Sequence, residues 1–188
     1  MEEKLKQEKT SCIKVVLFGP ESTGKTTLAQ QLALHYNSLW VPEFSREYAE
    51  KKLTHKKPLT TKDVLPIAVG QMKLENSLAK REKKVLFCDT NVLETKVYST
   101  YLYNGYCPEL LEKSIQESTY HLYLLTATDI PWEYDIVRSS DANRQKMFAY
   151  FENTLKSYGF PHTVINGSET NRLKQAIKQV DLVLKNYT

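Results

Sequence analysis

The chain has 188 residues, 41% of them hydrophobic and 26% charged, with a formal net charge of +4, proportions that fit one domain with a full core. It holds no apolar run of the ~20 residues that a membrane helix requires, and Met1 to Lys9 lacks the apolar segment of a secretory signal, so a cytoplasmic protein without a membrane partner is expected. The mild positive charge suits a phosphorylated ligand and is too dispersed for a nucleic-acid surface, while Cys12, Cys88 and Cys107 lack metal-ligand spacing and read as reduced thiols.

Residues 1–11 read as a flexible leader and 12–188 as a single domain. Ile13 to Phe18 is a short apolar strand closed by Gly19-Pro20. A helical pattern runs from Lys25 to Tyr36, with Leu28, Leu32 and Leu34 among its apolar positions. Leu39 to Val41 is a brief apolar segment ended by Pro42. A long helix is predicted from Thr61 to Lys83, with Thr60 and Asp63 as a capping box and Pro66 in the first turn or at a kink. Its basic end, Lys80 to Lys84, reads as a solvated helix end.

Val85 to Cys88 is a second buried strand, and it runs directly into Asp89. Helices follow over Asn91 to Tyr103 and Pro108 to Glu117, then a strand over Leu122 to Leu125 and an irregular stretch to Ser140. A helix from Asp141 to Tyr158, a strand over Thr163 to Ile165 and a helix from Ser168 to Leu184 complete the chain. Short continuous apolar strands alternating with helices predict an α/β fold, a parallel sheet of about five strands covered on both faces. Ligands of such sheets bind at the carboxyl ends of the strands.

Gly19 to Thr26 reads GPESTGKT and satisfies G-x-x-x-x-G-K-[ST] at every fixed position. The glycines let the chain wrap so that backbone N–H groups converge on phosphate oxygens, and the next helix aims its positive end at the same anion. Gly19, Glu21, Ser22, Thr23, Gly24, Lys25, Thr26 and Thr27 are the expected nucleotide-binding residues, with ATP and Mg²⁺ as the implied cofactors. Lys25 supplies charge near the β and γ phosphates and the Thr26 hydroxyl ligates Mg²⁺. The fold class is therefore that of P-loop NTPases.

Such a site needs an acid at a neighbouring strand tip to organise the metal shell, and Asp89 fits; the competing reading makes Asp89 the cap of the following helix. Glu43 and Arg46 follow the second extended segment on the same edge, where a carboxylate can accept a hydroxyl proton and an arginine can hold substrate. A plain surface ion pair is the alternative. Asp129 to Arg138, with Arg144 beyond it, has the mixture of a lid over transferring phosphates: Trp132 and Asp135 would touch substrate, and Arg138 and Arg144 the reacting phosphoryl group. A packed loop anchored by Trp132 is the bland reading.

With these residues in place, the chain resembles the ribosylnicotinamide kinase domain of NadR-type proteins and the related NadR-like AAA group of P-loop ATPases. The resemblance covers most of residues 12–185 and rests on GPESTGKT, Glu43 to Tyr48 (EFSREY), Cys88 to Thr90 (CDT) and Ile130 to Ser139 (IPWEYDIVRS). It implies a nucleoside-kinase-like sheet and ATP-dependent phosphorylation of the 5′-hydroxyl of nicotinamide riboside. It places Lys25 and Thr26 at phosphate and Mg²⁺, Asp89 at the metal or the reacting hydroxyl, Glu43 and Arg46 at the nucleoside, and Asp135, Arg138 and Arg144 in the lid. Two positions depart from the pattern. Pro42 stands where these proteins commonly carry an aromatic, with Trp40 two residues earlier, and Ile136 stands where the lid often has glycine. No second nucleotide motif is present, so no adenylyltransferase activity is expected. A small-molecule nucleoside is the expected partner. A kinase for another nucleoside and a regulatory P-loop ATPase with residues 108–117 as a docking helix are the alternatives, and whether Glu43 or Asp89 is the base stays open.

Overall fold

Three apolar runs set the frame. Ile13–Phe18 (β1), Val85–Asp89 (β3) and Leu122–Thr126 (β4) are buried at every residue, as strands covered on both faces must be. With Trp40–Val41 (β2) and His162–Ile165 (β5) they form one parallel sheet in the order β2-β3-β1-β4-β5. The structure, a computed structural model, describes residues 2–130 and 144–187. Its helices are Glu2–Leu5 (α1), Lys25–Tyr36 (α2), Phe44–Thr54 (α3), Thr61–Ala79 (α4), Val92–Leu102 (α5), Glu109–Glu117 (α6), Arg144–Tyr158 (α7) and Glu169–Tyr187 (α8).

Successive residues of β1 serve opposite faces, as the two-residue strand period requires. Val15 and Leu17 pack with Leu32 of α2 and Val180 of α8. Val16 and Phe18 pack with Met72 of α4, Leu93 of α5, Leu111 of α6 and Phe151 of α7. The sheet order puts β1 at the centre with β3 and β4 beside it, so the crevice at its carboxyl end is walled by the tips of both neighbours.

Two helices were not visible as patterns. Residues 2–8 pack on the body instead of fraying: Leu5 is buried, Ser114 Oγ donates to the Leu5 carbonyl at 2.7 Å, and Gln7 Nε2 donates to Glu75 Oε1 at 2.7 Å. The reason is that α4 and α6 offer polar groups to this segment's backbone, which a helix of four residues cannot satisfy alone. Lys14 also departs from the apolar reading of β1. Its ammonium is buried 3.0 Å from Glu75, whose other oxygen accepts the Tyr120 hydroxyl at 2.7 Å, so the charge is paired and hydrogen-bonded as burial demands.

The second unpredicted helix, α3, begins next to Glu43 and carries Arg46 in its first turn. A Cβ on Gly70 of α4 would lie 2.1 Å from the Phe44 ring, so a side-chain-free position lets α3 seat against α4. Gln71 then pins the turn between β2 and α3, accepting the Phe44 N–H at 2.8 Å and donating to the Pro42 carbonyl at 3.3 Å. The capping box of α4 forms as read, with the Asp63 carboxylate accepting the Thr60 N–H at 2.9 Å. Pro66 lies inside α4, beyond its first turn.

Candidate active site

The eight-residue loop between β1 and α2 closes on itself. Gly19 has φ 139° and Gly24 φ 77°, conformations that favour glycine. A Cβ on Gly19 would come within 2.8 Å of Thr126 Oγ1, because the loop lies on the tip of β4. Lys25 Nζ donates to the Gly19 and Pro20 carbonyls at 2.7 and 2.9 Å, curling over the loop. The Thr23 hydroxyl donates to the Pro20 carbonyl at 2.7 Å. Arg172 of α8 supports the loop from behind, giving Nη1 to the Thr23 carbonyl at 2.7 Å, Nη2 to the Ala127 carbonyl at 2.9 Å, and an ion pair to Asp129. Glu21 is buried and accepts the Tyr98 hydroxyl at 2.6 Å. Thr27 is exposed on the first turn of α2, whose N-terminus faces the loop.

The structure separates the two readings of Asp89. Asn91 caps α5, its side chain accepting the Leu93 N–H at 3.1 Å. Asp89, the last residue of β3, instead accepts the Thr26 hydroxyl at 2.5 Å. Thr90 makes this possible: with φ 71° it turns the chain sharply between strand and helix, an unfavourable conformation for a β-branched residue. A hydroxyl and a carboxylate, both hard oxygen donors, thus converge beside the phosphate loop, a donor set that suits Mg²⁺.

A cavity of about 310 Å³ opens beside Lys25, a size within the range of small-ligand sites. Glu43, the N-cap of α3, and Arg46, in its first turn, line it, with Glu43 Oε1 accepting the Ser45 hydroxyl at 2.6 Å. Its aromatic wall comes from Tyr98, Tyr101 and Tyr103 around α5. Trp40 packs on the opposite side of the sheet with the α2–α8 core, so it does not take the place of an aromatic at Pro42.

Sequence reasoning missed Glu94. It sits in the first turn of α5, is 5% exposed, and places Oε1 3.5 Å from Lys25 Nζ. Burial pushes its carboxyl well above the ordinary carboxylate range; Lys25 draws it back, and Glu43 and Asp89 push it further up. An acid five residues after Asp89 at a helix start was the available signal. Arg172 was also missed, and no local motif marks it.

Of the residues expected in a lid, Arg144 opens α7, is buried, and donates Nη2 to the Ser22 and Ile130 carbonyls at 3.2 Å each. It therefore reaches the phosphate loop. Trp132, Asp135 and Arg138 lie outside the described residues.

Comparison with known proteins agrees with this geometry. A family model described as an AAA domain (AAA_28) matches residues 14–172. The trifunctional NAD biosynthesis/regulator protein NadR of Escherichia coli (strain K12) is 30% identical over 144 residues, 75% of this chain and 34% of that protein. The chain spans about a third of the length of the curated relatives it matches. A crystal structure of NadR protein in complex with NR aligns with a TM-score of 0.80 at 22% identity, covering 93% of this chain and 52% of that chain. Deoxyadenosine kinase from M. mycoides aligns with a TM-score of 0.65 at 14% identity, covering 90% of this chain and 99% of that one. The match from β1 into α8 takes in the phosphate loop, Asp89, the cavity and Arg172, and on it the chain belongs to the AAA_28 family of AAA domains.

Proposed function

We propose that the protein is an ATP- and Mg²⁺-dependent nucleoside kinase of the cytoplasm, with residues 12–188 as its kinase domain, which phosphorylates the 5′-hydroxyl of nicotinamide riboside to give nicotinamide mononucleotide. The observation that carries this reading is the walled cavity beside Lys25, which would suit an acceptor next to a γ-phosphate held by that lysine. A regulatory hydrolase needs water there and no second pocket. The likeness to NadR, one of whose structures holds NR, favours nicotinamide riboside among nucleosides.

The residues divide the work. Backbone N–H groups of Ser22 to Thr26 and the N-terminus of α2 hold phosphate oxygens, and Lys25 follows the negative charge that spreads over the transferring group. Thr26 and Asp89 would hold Mg²⁺, which when bound neutralises charge on the β and γ phosphates. Glu43 and Arg46 orient the ribose, and the tyrosine wall packs on the base. Arg144, with Arg138 from the lid, stabilises the transition state.

The test is ADP release with Mg-ATP and a panel of nucleosides, the phosphorylated product being identified by mass. Acceleration by nicotinamide riboside above all other nucleosides is expected. A different nucleoside as the best substrate would overturn the substrate; acceleration by none would overturn the kinase.

A further inference from the structure

Glu21, Glu43 and Glu94 line the phosphate-loop end of the cavity, and Asp89 lies at the strand tip nearby. Asp89 accepts the Thr26 hydroxyl on the metal side. Glu43 accepts the Ser45 hydroxyl at the turn into α3. Glu94 forms an ion pair with Lys25, Oε1 lying 3.5 Å from Nζ. Its second oxygen, Oε2, is buried and has no hydrogen-bond partner among the described residues, although the side chain lines the cavity. A buried carboxylate oxygen without a donor is unfavourable, and such an atom marks the place of a donor that arrives with a ligand.

The position names that donor. Lysine in this loop type reaches the β and γ phosphates. A group in contact with Lys25 Nζ on the cavity side is therefore beside the transferring phosphoryl group. An acceptor hydroxyl must approach the phosphorus to about 3–3.5 Å, and from the cavity it passes Glu94. We infer that Glu94 is a catalytic residue which takes the proton of the acceptor hydroxyl during phosphoryl transfer. The inference rests on the kinase reading and deepens it. The hydroxyl O–H bond breaks and its proton passes to Glu94 Oε2. The oxygen lone pair forms the new bond to the γ-phosphorus. The bond from that phosphorus to the β–γ bridging oxygen breaks, and its electron pair leaves with the nucleoside diphosphate.

The surroundings suit the role. The charged and titratable groups around Glu94 are Lys25 from α2, Glu21 from the loop, Glu43 from the β2–α3 turn, Arg46 from α3, Asp89 from β3 and Tyr98 from α5. Burial lifts the carboxyl from its ordinary range, with Lys25 opposing and Glu43 and Asp89 adding, and a base works best with an affinity for protons near that of its medium.

Glu94→Gln keeps the shape and removes proton acceptance. Using the best nucleoside of the panel, kcat should fall by roughly 10²–10⁴-fold, while the dissociation constant of a fluorescent ATP analogue, titrated directly, stays within about threefold. Glu94→Asp, which keeps the acid on a shorter stem, should retain part of the activity and serves if the glutamine variant folds poorly. Unchanged kcat overturns the inference. So does a loss of nucleotide affinity that parallels kcat, which would make Glu94 only a positioning residue for Lys25. Faster turnover also overturns it, because Glu94 would then be a brake that holds Lys25 away from phosphate. A wild type that prefers another nucleoside corrects the substrate and leaves this test intact; a wild type inactive with every nucleoside sinks the kinase and the base together.

Discussion

The phosphate loop and the cavity beside it share Lys25 and are otherwise built on different principles. In the loop, Lys25 and Thr23 satisfy carbonyls three to six residues away, and Arg172 clamps the loop from outside. In the cavity, polar side chains are presented by separate elements: Glu43 by the β2–α3 turn, Arg46 by α3, Gln71 by α4, Glu94 and Tyr98 by α5. The first arrangement is stiff and short-range, and fits a ligand group common to every nucleotide. The second depends on how helices seat against one another, so small packing changes there can reshape the cavity while the loop persists. On the kinase proposal, this would separate affinity for the shared phosphate from selectivity for the variable nucleoside.

Substitutions can break this division. Lys25→Ala should have the largest effect, lowering turnover by about 10³-fold, the upper range for one lost charge-stabilising donor, and weakening nucleotide binding strongly. Circular dichroism should still report a folded protein. Retention of wild-type turnover would remove the loop from the chemistry. Asp89→Asn preserves shape and should lower kcat by roughly 10²-fold, with an increased requirement for Mg²⁺; a Mg²⁺ titration with an unchanged midpoint would detach Asp89 from the metal.

Gly70→Ala probes the other region. The new Cβ meets the Phe44 ring, and overpacking of this kind costs about 1–3 kcal/mol. Chemical denaturation should show that loss, and KM for the nucleoside should rise while the nucleotide dissociation constant holds. Equal damage to both ligands would end the proposed independence of the two regions.

The smallest effect concerns Asp63, at the cavity edge. Burial pushes its carboxyl up, but hydrogen bonds from Lys52, the Thr60 backbone and the Tyr48 hydroxyl outweigh this and hold it down at about 2. A depressed folded value stabilises the protein above the unfolded value of about 3.9 and the contribution is lost as pH falls toward the folded one. The difference in melting temperature between wild type and Asp63→Asn should therefore be present at pH 6 and shrink steadily toward pH 2. A constant difference would assign the role of Asp63 to packing.

The parts legible without coordinates are those whose partners are close along the chain. The phosphate loop occupies eight contiguous residues, and its glycines and lysine are dictated by one ligand. The Thr60–Asp63 box is a three-residue relation, and β1, β3 and β4 announce themselves as continuous apolar runs because both their faces are covered. Asp89 was placed at a strand tip by the same logic, although only the cap at Asn91 and the bond from Thr26 separated its two readings.

Other features depended on register and helix seating. Lys14 meets Glu75 across 61 positions, and Arg172 meets Thr23 across 149. Trp40, three residues from Glu43, packs on the face of the sheet away from the cavity, because a strand sends alternate side chains to opposite sides. Glu94 looked like an ordinary acid in the first turn of a helix. Its place beside Lys25 follows from β3 lying next to β1, which brings the start of α5 to the phosphate loop. By itself the sequence determined the strands, the phosphate loop and the acid at the tip of β3, since short-range sterics and one shared ligand dictate them; the tertiary structure alone decided the cavity and the carboxylates that line it, because residues distant in the chain meet only when sheet order and helix packing bring them together.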